Sequence, residues 1–500
     1  MNIASPQTWH DKASRLSFEG RLFIDGTFRE ALSGSKFETV NPSNGSVIAA
    51  VSRGEAADID LAVAAGRRAF KSGVWSRMAP RARMAVMIRF TDLVEAHADT
   101  FALLDTIDMG KPIQEMLTVD IPLAVNCFRF TAECIDKIEG SVGSTSSDVL
   151  SYVIRQPLGV VGCIVPWNYP LLMTAWKIAP ALSAGNSVVL KPAEQSPLSA
   201  LLLAQLFMEA GGPAGVLNVV NGYGAEAGKA LALHEDVDKI AFTGSAEVGK
   251  LMLIYSGQSN MKKVATECGG KSPHVVLADA DNIETAAWWA AMGIFGNQGE
   301  VCCAGSRIIV EKSIVPDFVD SLIAQAKAGY VPGDPLDEKT TMGPLVTREQ
   351  QQRVLNYIAI GKQSGADCVL GGSVPEGLEH GAYVAPTIFA GVNNTMTIAR
   401  EEIFGPVASI IPVSGYEEAV SVANDSPFGL AAGIWTSDLG KAHRFARDVE
   451  AGMVYVNSYM NGDMQLPFGG WKESGNGRDK CMDALISYTQ GKGVWVTIGN

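Results

Sequence analysis

The sequence contains no long apolar run and no concentrated metal-binding or disulfide motif. No stretch reaches the roughly 20 apolar residues that a membrane-spanning helix needs, and residues 1–6 lack the basic start and apolar core of a signal peptide. The 8 cysteines form no CxxC pair, and the 6 histidines form no HExxH motif. These absences predict a cytoplasmic protein that keeps its thiols reduced, has no membrane partner and binds no metal.

Positive charge is also in short supply. Lys and Arg together number 40 against 53 Asp and Glu, which gives a formal net charge of −13 at pH 7. A chain of that sign repels phosphate backbones, so no nucleic-acid partner is expected. Apolar residues, in contrast, make up 47% of the 500 positions. That proportion is enough for two or three domains with substantial cores.

The order of periodic segments predicts the fold class, because no low-complexity tract, repeat or long linker divides the chain. Apolar spacing predicts helices over 58–70 and 80–104. From residue 160 short β-rich runs alternate with helical stretches, and a second such series follows residue 270. This alternation predicts an α/β protein with two doubly wound domains that join near 263–271. The predicted strands are 160–165, 187–190, 216–220 and 239–242, then 274–277, 307–310, 407–413, 433–436 and 453–457, with a last strand at 494–498.

Two short segments contain groups suited to covalent and acid–base chemistry. Cys302 and Cys303 follow a glycine-containing turn and precede a predicted strand, where a cysteine can be exposed and held as a reactive thiolate. The alternative is that both thiols are small buried hydrophobic groups. Glu267 stands just before Gly269 and Gly270, where it can act as a general base on water. Alternatively, Glu267 is a solvated carboxylate before a turn.

Other polar groups follow the strands of the first series, at the end where parallel sheets place their ligands. The Asn168 amide can donate to a developing oxyanion, or it can cap a proline-bounded turn. Lys191 and Glu194 suit the hydroxyls of an adenosine ribose, or form an ordinary salt bridge. Ser245 begins a helix after a glycine, which suits a phosphate. The glycine evidence is weak alone, because residues 222–228 read GxGxxxG and not GxGxxG.

In this order and combination the segments resemble the aldehyde dehydrogenase superfamily over residues 21–496. The matching motifs are PWNYP, KPAE, FTGS, ECGGK, NQGEVCCAGSR, EEIFGP and PFGGWKESGNGR. The resemblance implies an NAD-binding domain (1–130 and 150–265), a catalytic domain (266–475) and a small β oligomerisation element (131–149 and 480–500). It further implies a homodimer or homotetramer that acts on a small-molecule aldehyde.

The resemblance also implies the roles of three catalytic residues. Cys302 is the nucleophile that attacks the aldehyde, because it is the cysteine four residues after Gln298 in NQGEVC. The Asn168 amide and the Cys302 backbone N–H stabilise the oxyanion of the thiohemiacetal. After hydride transfer, Glu267 activates the water that hydrolyses the thioester. The pattern departs from the family at Cys268 and Asp479, where Leu and Glu are usual.

For the cofactor, the resemblance assigns Lys191 and Glu194 to the adenosine ribose and Ser245 to the pyrophosphate. Glu402 is expected at the nicotinamide ribose, with Phe404 packed beside it. Because a carboxylate at position 194 repels a 2′-phosphate, NAD is favoured over NADP. The predicted cofactor site also includes Trp167, Gly244 and Gly249.

The nearest resemblance is to bacterial enzymes that oxidise γ-glutamyl-γ-aminobutyraldehyde or 4-guanidinobutyraldehyde. Tyr169 and Trp176 are seven residues apart, which places them on one helix face where aromatic rings can border a cationic aldehyde. Asp120 and Asp463 can attract an amino or guanidino tail; alternatively, Trp176 is core and both aspartates are solvated. Broad-specificity and betaine-aldehyde-type dehydrogenases remain alternatives. Two further alternatives are a non-catalytic relative and a thiol acyltransferase.

Overall fold

The computed structural model describes residues 8–499. Residues 1–7 and 500, which the predicted NAD-binding domain and oligomerisation element include, lie outside the described residues. The strands are β1 (Leu22–Ile24), β2 (Thr27–Arg29), β3 (Lys36–Val40), β4 (Val47–Ser52), β5 (Ser141–Gly143), β6 (Val149–Pro157), β7 (Val160–Ile164), β8 (Ser187–Lys191), β9 (Leu217–Val219), β10 (Lys239–Gly244), β11 (Lys263–Cys268), β12 (Pro273–Val276), β13 (Arg307–Glu311), β14 (Asp367–Leu370), β15 (Thr387–Ala390), β16 (Val407–Val413), β17 (Phe428–Gly429), β18 (Ala431–Trp435), β19 (Met453–Val456), β20 (Trp471–Lys472) and β21 (Thr489–Thr497).

Helices connect these strands and cover the sheets. They are α1 (Trp9–Ala13), α2 (Ala56–Ser72), α3 (Pro80–Ala96), α4 (Ala98–Met109), α5 (Ile113–Glu115), α6 (Ile121–Glu133), α7 (Pro170–Ser183), α8 (Leu198–Glu209), α9 (Lys229–Leu233), α10 (Ala246–Gln258), α11 (Ile283–Phe295), α12 (Val315–Gly329), α13 (Arg348–Gln363), α14 (Thr397–Arg400), α15 (Tyr416–Asn424), α16 (Leu439–Asp448) and α17 (Cys481–Ser487). Two π-helices, Met116–Asp120 and Gly224–Gly228, precede α6 and α9.

Two large sheets form the two α/β halves that the strand–helix alternation predicts. The first has the strand order β11-β10-β7-β8-β9-β1-β2, in which β11 to β9 are parallel and β1 and β2 are antiparallel. The second has the order β14-β15-β16-β13-β12-β18-β19, parallel except for β14. The chain passes from the first to the second between β11 and β12.

Each large sheet is buried on both faces, which explains why its strands are almost continuously apolar. In β8, Val188 and Leu190 pack in the core formed with α3, α6, α7 and α8, whereas Val189 points to the opposite core with α2, α9 and α10. The second sheet packs against α11 and α12 on one face and α13, α15 and α16 on the other. These layers bring the carboxyl ends of parallel strands to a common edge.

The small antiparallel sheet corrects one predicted boundary. It has the order β21-β6-β5, with β6 in its centre. Residues 149–157 therefore belong to this sheet and not to the NAD-binding half, and the sheet does not include 131–140. The final strand is longer than predicted, because β21 pairs with β6 along its whole length.

The helix predicted over 80–104 is also different, since it consists of α3 and α4. His97, with φ −101° and ψ 19°, separates them, and its Nδ1 lies 2.8 Å from the Leu93 carbonyl oxygen at the end of α3. The Leu93 carbonyl also accepts from the His97 backbone N–H at 3.1 Å, so His97 closes the end of α3 with both its backbone and its ring. Between residues 8 and 499, no helix is long and apolar enough to cross a membrane.

Candidate active site

A cavity of about 680 Å³ lies where the loops after β7, β10 and β11 meet the loop before β13. Its position beyond the ends of parallel strands is the usual ligand position in such sheets. The cavity has a cofactor end, defined here by Trp167, Ser245, Glu402 and Phe404. Its substrate end is defined by Tyr169, Trp176, Phe468 and Lys480. Cys302 also lines this cavity.

The loop that carries Cys302 is held in an uncommon backbone conformation. Asn297, Gln298 and Gly299 have φ values of 46°, 56° and 73°, so three successive residues are left-handed. Such conformations persist in residues other than glycine only when the surroundings fix them. Here the Asn297 side chain donates to the Asn168 carbonyl oxygen at 2.9 Å. The loop is therefore tied to the residue that is predicted to bind the oxyanion.

Cys302 is partly exposed, whereas Cys303 is buried. The carbonyl of Cys303 accepts a hydrogen bond of 2.9 Å from the Tyr459 hydroxyl, which fixes the backbone beside the nucleophile. Contact with the Cys303 thiol, burial and the carboxylates of Glu402 and Glu267 together raise the pKa of the Cys302 thiol. A raised pKa favours the protonated form of this thiol. Its reaction with an aldehyde requires loss of a proton.

Asn168 lies just beyond β7, is 4% exposed and borders the cavity. Its Nδ2 donates to the Glu300 carbonyl oxygen at 2.7 Å. Because an amide nitrogen carries two protons, one remains for an acceptor in the cavity. Glu300 precedes Cys302 by two residues, so this hydrogen bond also fixes the amide relative to the nucleophile's loop.

Glu267 is buried near the end of β11 but does not line the cavity, although Cys268 and Gly269 do. Among the described residues, no hydrogen-bond partner of good geometry reaches either carboxylate oxygen. A Cβ placed on Gly469 or Gly477 would lie 2.8 Å from Glu267 Oε1. The glycines of the PFGGWKESGNGR motif thus leave space for this carboxylate.

A buried ion pair accompanies Glu267. Lys177 Nζ lies 2.5 Å from Asp479 Oδ2, and both side chains are almost fully buried. The aspartate at position 479 therefore reaches Lys177 despite being shorter than the family's usual glutamate. Burial first, and the Asp479 carboxylate second, raise the pKa of Glu267 well above its ordinary value, whereas Lys177 opposes the shift.

At the cofactor end, β10 ends at Gly244 and the 13-residue helix α10 begins after Ser245. Ser245 Oγ accepts from the Val248 N–H at 3.3 Å and so caps the helix. Both Gly244 and Ser245 line the cavity, and a helix N-terminus there suits a phosphate. Gly249 does not line it: a Cβ at Gly249 would lie 2.6 Å from Cys268 Sγ, so this glycine permits packing of α10 on β11.

Glu402 and Phe404 enter the cofactor end from the loop before β16. Glu402 Oε1 accepts from the Gly270 N–H at 3.0 Å, and burial raises the pKa of its carboxyl to about 7. The Phe404 and Trp167 rings meet edge to face with centroids 5.2 Å apart. A carboxylate beside two aromatic rings provides an acceptor for a ribose hydroxyl and apolar contact for a planar ring.

Two residues of this end had no recognisable sequence signal. Gln350 Nε2 donates to the Phe404 carbonyl oxygen at 2.6 Å, and the Arg353 guanidinium donates to the Glu402 carbonyl oxygen at 3.0 Å. Both lie on α13, a helix that was not predicted, and both line the cavity. They hold the backbone of the cofactor loop.

Lys191 and Glu194 lie next to this cavity but do not line it. Lys191 Nζ contacts Glu194 Oε2 at 2.7 Å; the lysine side chain is 3% exposed and the glutamate side chain 27%. Burial lowers the pKa of Lys191. A ribose at the end of β8 would therefore meet the exposed edge of Glu194, with Lys191 behind it. Together with the helix start at Ser245, this donor set fits a dinucleotide.

The structure places Tyr169 and Trp176 on the cavity wall, as their spacing predicts. The face of the Tyr169 ring is already occupied, because Lys111 Nζ lies 3.4 Å from its centroid. The Trp176 ring packs against Phe468 at 5.1 Å. Methionines complete much of the wall around them, namely Met173, Met292, Met460 and Met464.

Asp120 is not a substrate anchor. It is fully buried, forms an ion pair of 2.6 Å with the equally buried Lys111, and does not line the cavity. Asp120 ends the π-helix Met116–Asp120, whose wider turn rotates the chain and directs Val119 and Leu123 to the cavity instead. Asp463 is exposed, and its neighbours Gly462 and Met464 line the mouth of the substrate end.

Lys480 is a lining residue that the sequence reasoning missed. It is half-buried, and its Nζ lies 5.9 Å from the Trp176 ring centroid. In the described part of the chain, no cluster of His, Cys, Asp and Glu has metal-binding geometry.

Comparison with known proteins agrees with this geometry. The aldehyde dehydrogenase family model matches residues 28–494. The NADP/NAD-dependent aldehyde dehydrogenase PuuC of Escherichia coli is 48% identical over 498 residues, which covers 100% of each chain. An indole-3-acetaldehyde dehydrogenase complexed with NAD+ superposes with a TM-score of 0.96 at 52% identity, covering 98% of this chain and 99% of that one.

A γ-glutamyl-γ-aminobutyraldehyde dehydrogenase from Burkholderia cenocepacia gives the same TM-score of 0.96 at 51% identity, with coverage of 98% and 99%. The family motifs predicted from sequence thus occur in the matching fold, with the thiol, the amide and the strand-end groups around one cavity. The chain belongs to the aldehyde dehydrogenase family and is an NAD(P)-dependent oxidoreductase.

Proposed function

We propose that the enzyme uses NAD to oxidise aldehydes with a nitrogen-containing tail, namely an ω-amino, guanidino or γ-glutamylamino group. The observation that carries the proposal is a cavity lined by Cys302 together with the residues of the cofactor end and with an aromatic and methionine-rich wall. Such walls bind a methylene chain, while the tail reaches a polar mouth.

In the first half-reaction, the Cys302 thiol passes its proton to solvent water as Sγ bonds to the aldehyde carbon, and the carbonyl electron pair moves onto the oxygen. The free proton of the Asn168 amide and the Cys302 backbone N–H stabilise the resulting oxyanion. When NAD is bound, its nicotinamide supplies the hydride acceptor. Loss of hydride leaves a thioester on Cys302, and the fixed left-handed loop keeps its carbonyl near Asn168.

In the second half-reaction, Glu267 takes a proton from water, whose oxygen attacks the thioester carbon. The carbon–sulfur bond then breaks, the Cys302 sulfur takes up the proton that Glu267 removed from water, and the acid product leaves and loses its own proton to solvent. Burial raises the pKa of Glu267, which makes its carboxylate a stronger base towards water than an exposed glutamate. The Lys177–Asp479 pair behind Glu267 provides a charged path for that proton.

NAD is the proposed cofactor in preference to NADP. Glu194 presents a carboxylate edge where the adenosine ribose would lie, and a 2′-phosphate there would meet like charge. The relative PuuC is named as using both cofactors, so we propose a preference rather than exclusion.

The names of two similar proteins support different tails. One is named for γ-glutamyl-γ-aminobutyraldehyde and the other for indole-3-acetaldehyde. The second candidate function is therefore oxidation of aromatic or aliphatic aldehydes, favoured by the Trp176–Phe468 pair and the methionines of the wall. The exposed carboxylate of Asp463 at the mouth favours the first.

An assembly of identical subunits, a dimer or a tetramer, is also proposed. The small sheet presents large apolar side chains to solvent: Val142 is 74% exposed and Trp495 67%. Exposed apolar surface of this kind is typical of a face that another protein covers. Multi-angle light scattering of the purified protein measures the mass directly, and a monomer at micromolar concentration contradicts the proposal.

The substrate proposal is tested by NADH formation at saturating NAD. The panel holds 4-aminobutyraldehyde, 4-guanidinobutyraldehyde, γ-glutamyl-γ-aminobutyraldehyde, betaine aldehyde and hexanal. We expect kcat/KM to be higher for a nitrogen-tailed aldehyde than for hexanal. A preference for hexanal would reject the proposed tail and favour the second candidate.

A further inference from the structure

We propose that Lys480 and Asp463 form a site for a zwitterionic amino-acid head at the mouth of the substrate end. Lys480 would bind the α-carboxylate and Asp463 the α-ammonium group of a γ-glutamylated aldehyde. The inference deepens the proposed function and rests on it, because it selects one of the nitrogen-containing tails. It makes Lys480 and Asp463 specificity-determining residues.

The first argument is the environment of Lys480. Its side chain lines the cavity and is half-buried, yet within residues 8–499 its ammonium group makes no hydrogen bond and no ion pair. The backbone of Lys480 is left-handed, with φ of 64°, and the next residue, Cys481, donates from its N–H to the Met464 carbonyl oxygen at 2.7 Å. The ammonium group is therefore presented from a fixed backbone. A partly desolvated cation without a counter-ion favours an anionic ligand.

The second argument is the position of Asp463 relative to Lys480. Asp463 is exposed between two residues that line the mouth, and a Cβ on its neighbour Gly462 would lie 3.7 Å from Lys480 Nζ, which brings the amine beside this segment. Burial lowers the pKa of Lys480, and the Asp463 carboxylate opposes that shift. The two side chains do not form an ion pair within residues 8–499. Asp463 Oδ1 accepts from the Met464 N–H at 2.6 Å, which fixes the carboxylate near the rim. Two opposite charges that lie near each other without pairing match a ligand that has both.

The third argument is the distribution of the other charges. The carboxylates among the described lining residues, Glu247 and Glu402, are grouped with Ser245 at the cofactor end, as is Arg353. A purely cationic tail in the substrate end would therefore meet Lys480 without a lining carboxylate beside it. A γ-glutamyl head supplies its own carboxylate, so the like-charge repulsion becomes an attraction.

The test compares three amide-linked aldehydes that share one linker, each measured relative to hexanal. The first is γ-glutamyl-γ-aminobutyraldehyde, the second its analogue without the α-amino group, and the third its analogue without the α-carboxylate. The variants are Lys480→Met, Lys480→Arg and Asp463→Asn. Lys327→Met, at an exposed position on α12, is the matched control.

Lys480→Met is expected to lower kcat/KM relative to hexanal by about tenfold for the two carboxylate-bearing aldehydes, mainly through KM. The aldehyde without a carboxylate should change least, and Lys480→Arg should restore most of the loss. Asp463→Asn should cost about threefold for the two ammonium-bearing aldehydes, because an exposed charge contributes less. The Lys327 variant should leave the ratios unchanged.

If Lys480→Met lowered kcat/KM relative to hexanal equally for all three aldehydes, Lys480 would only line the wall, and the inference would be overturned. Unchanged ratios would overturn it as well. The wild-type panel tests the proposed function separately. If the wild type prefers γ-glutamyl-γ-aminobutyraldehyde but the variants do not change the ratios, only the zwitterion site fails. If the wild type prefers hexanal, the proposed function fails first.

Discussion

The two ends of the cavity differ in which parts of the fold supply their lining residues. At the cofactor end, the residues lie on strand ends, at the start of α10 and on the loop of Glu402 and Phe404, each fixed by hydrogen bonds. At the substrate end, side chains of α6 and α7 and of the 459–480 region form the wall. The position of the cofactor end is thus fixed by the backbone of the sheet, whereas a wall of side chains can be re-lined residue by residue. The same catalytic residues can therefore act on aldehydes with many different tails.

Removal of the group shared by both ends should have the largest effect. Cys302→Ala removes the sulfur that forms the thioester, so we expect kcat to fall by about 10⁴-fold while NAD still binds. NADH formation and NAD titration by tryptophan fluorescence measure the two properties separately. Cys303→Ala, at the buried neighbour, is the matched control and should retain activity within about tenfold. Equal losses in both variants would contradict the assignment of the nucleophile.

Loss of the base should separate the two half-reactions. Glu267→Gln is expected to lower steady-state kcat by about 100-fold while one NADH per site still forms in a burst, because acylation does not need this base. In the wild type, kcat should rise with pH as the Glu267 carboxyl, whose pKa is raised, loses its proton. Stopped-flow absorbance across pH 6–9 measures both. A slow first turnover, or an unchanged pH profile in the variant, would place the base elsewhere.

The cofactor end could be predicted from the sequence better than the substrate end, because it lies at strand ends, which local sequence patterns identify. Ser245 and Glu194 follow strands whose apolar runs identify them, so their position at the sheet edge is implied by topology. The prediction that Asp120 binds the substrate was wrong, because the π-helix adds a residue to the turn and rotates the Asp120 side chain into the core. A regular helical period does not anticipate this rotation. Lys480 gave no signal, since its location depends on a long return of the chain to the first sheet.

In the fold, too, features that local sequence patterns decide could be predicted, and features that tertiary contacts decide could not. The alternating strands and helices of both halves follow from local pattern, but the membership of β6 in the small sheet does not, because only pairing with β21 decides it. Likewise, Gln350 and Arg353 lie on a polar helix whose contact with the cofactor loop is purely tertiary.

A backbone substitution tests how strongly the catalytic loop is fixed to the cofactor end. Gly299 has φ of 73°, and a Cβ there would lie 2.3 Å from the Gly405 backbone, next to Phe404. We expect Gly299→Ala to lower the free energy of unfolding by about 1–3 kcal/mol. Gly296→Ala is the matched control, because a Cβ there meets nothing within 4 Å. Chemical denaturation measures the free energy of unfolding of both variants. Equal values would show that the loop moves to accommodate the added Cβ.

The smallest expected effect concerns cofactor choice. Glu194→Ser removes the carboxylate edge without touching the cavity wall, so the NADP/NAD ratio of kcat/KM should rise about tenfold. Glu209→Ser, at an exposed position on α8, should leave the ratio unchanged. An unaltered ratio in the Glu194 variant would mean that the adenosine ribose lies elsewhere.

The return of residues 464–480 to the first sheet has a consequence for biosynthesis. This segment pairs with β11 through Gly475 and Glu267 and supplies Asp479, Lys480 and the glycines around the base. During translation it leaves the ribosome some two hundred residues after β11, at roughly 5–20 residues per second. The nascent chain therefore holds an incomplete site with exposed apolar edges for about 10–40 s. Chaperone capture during that interval would protect a thiol-containing cleft that has not yet closed.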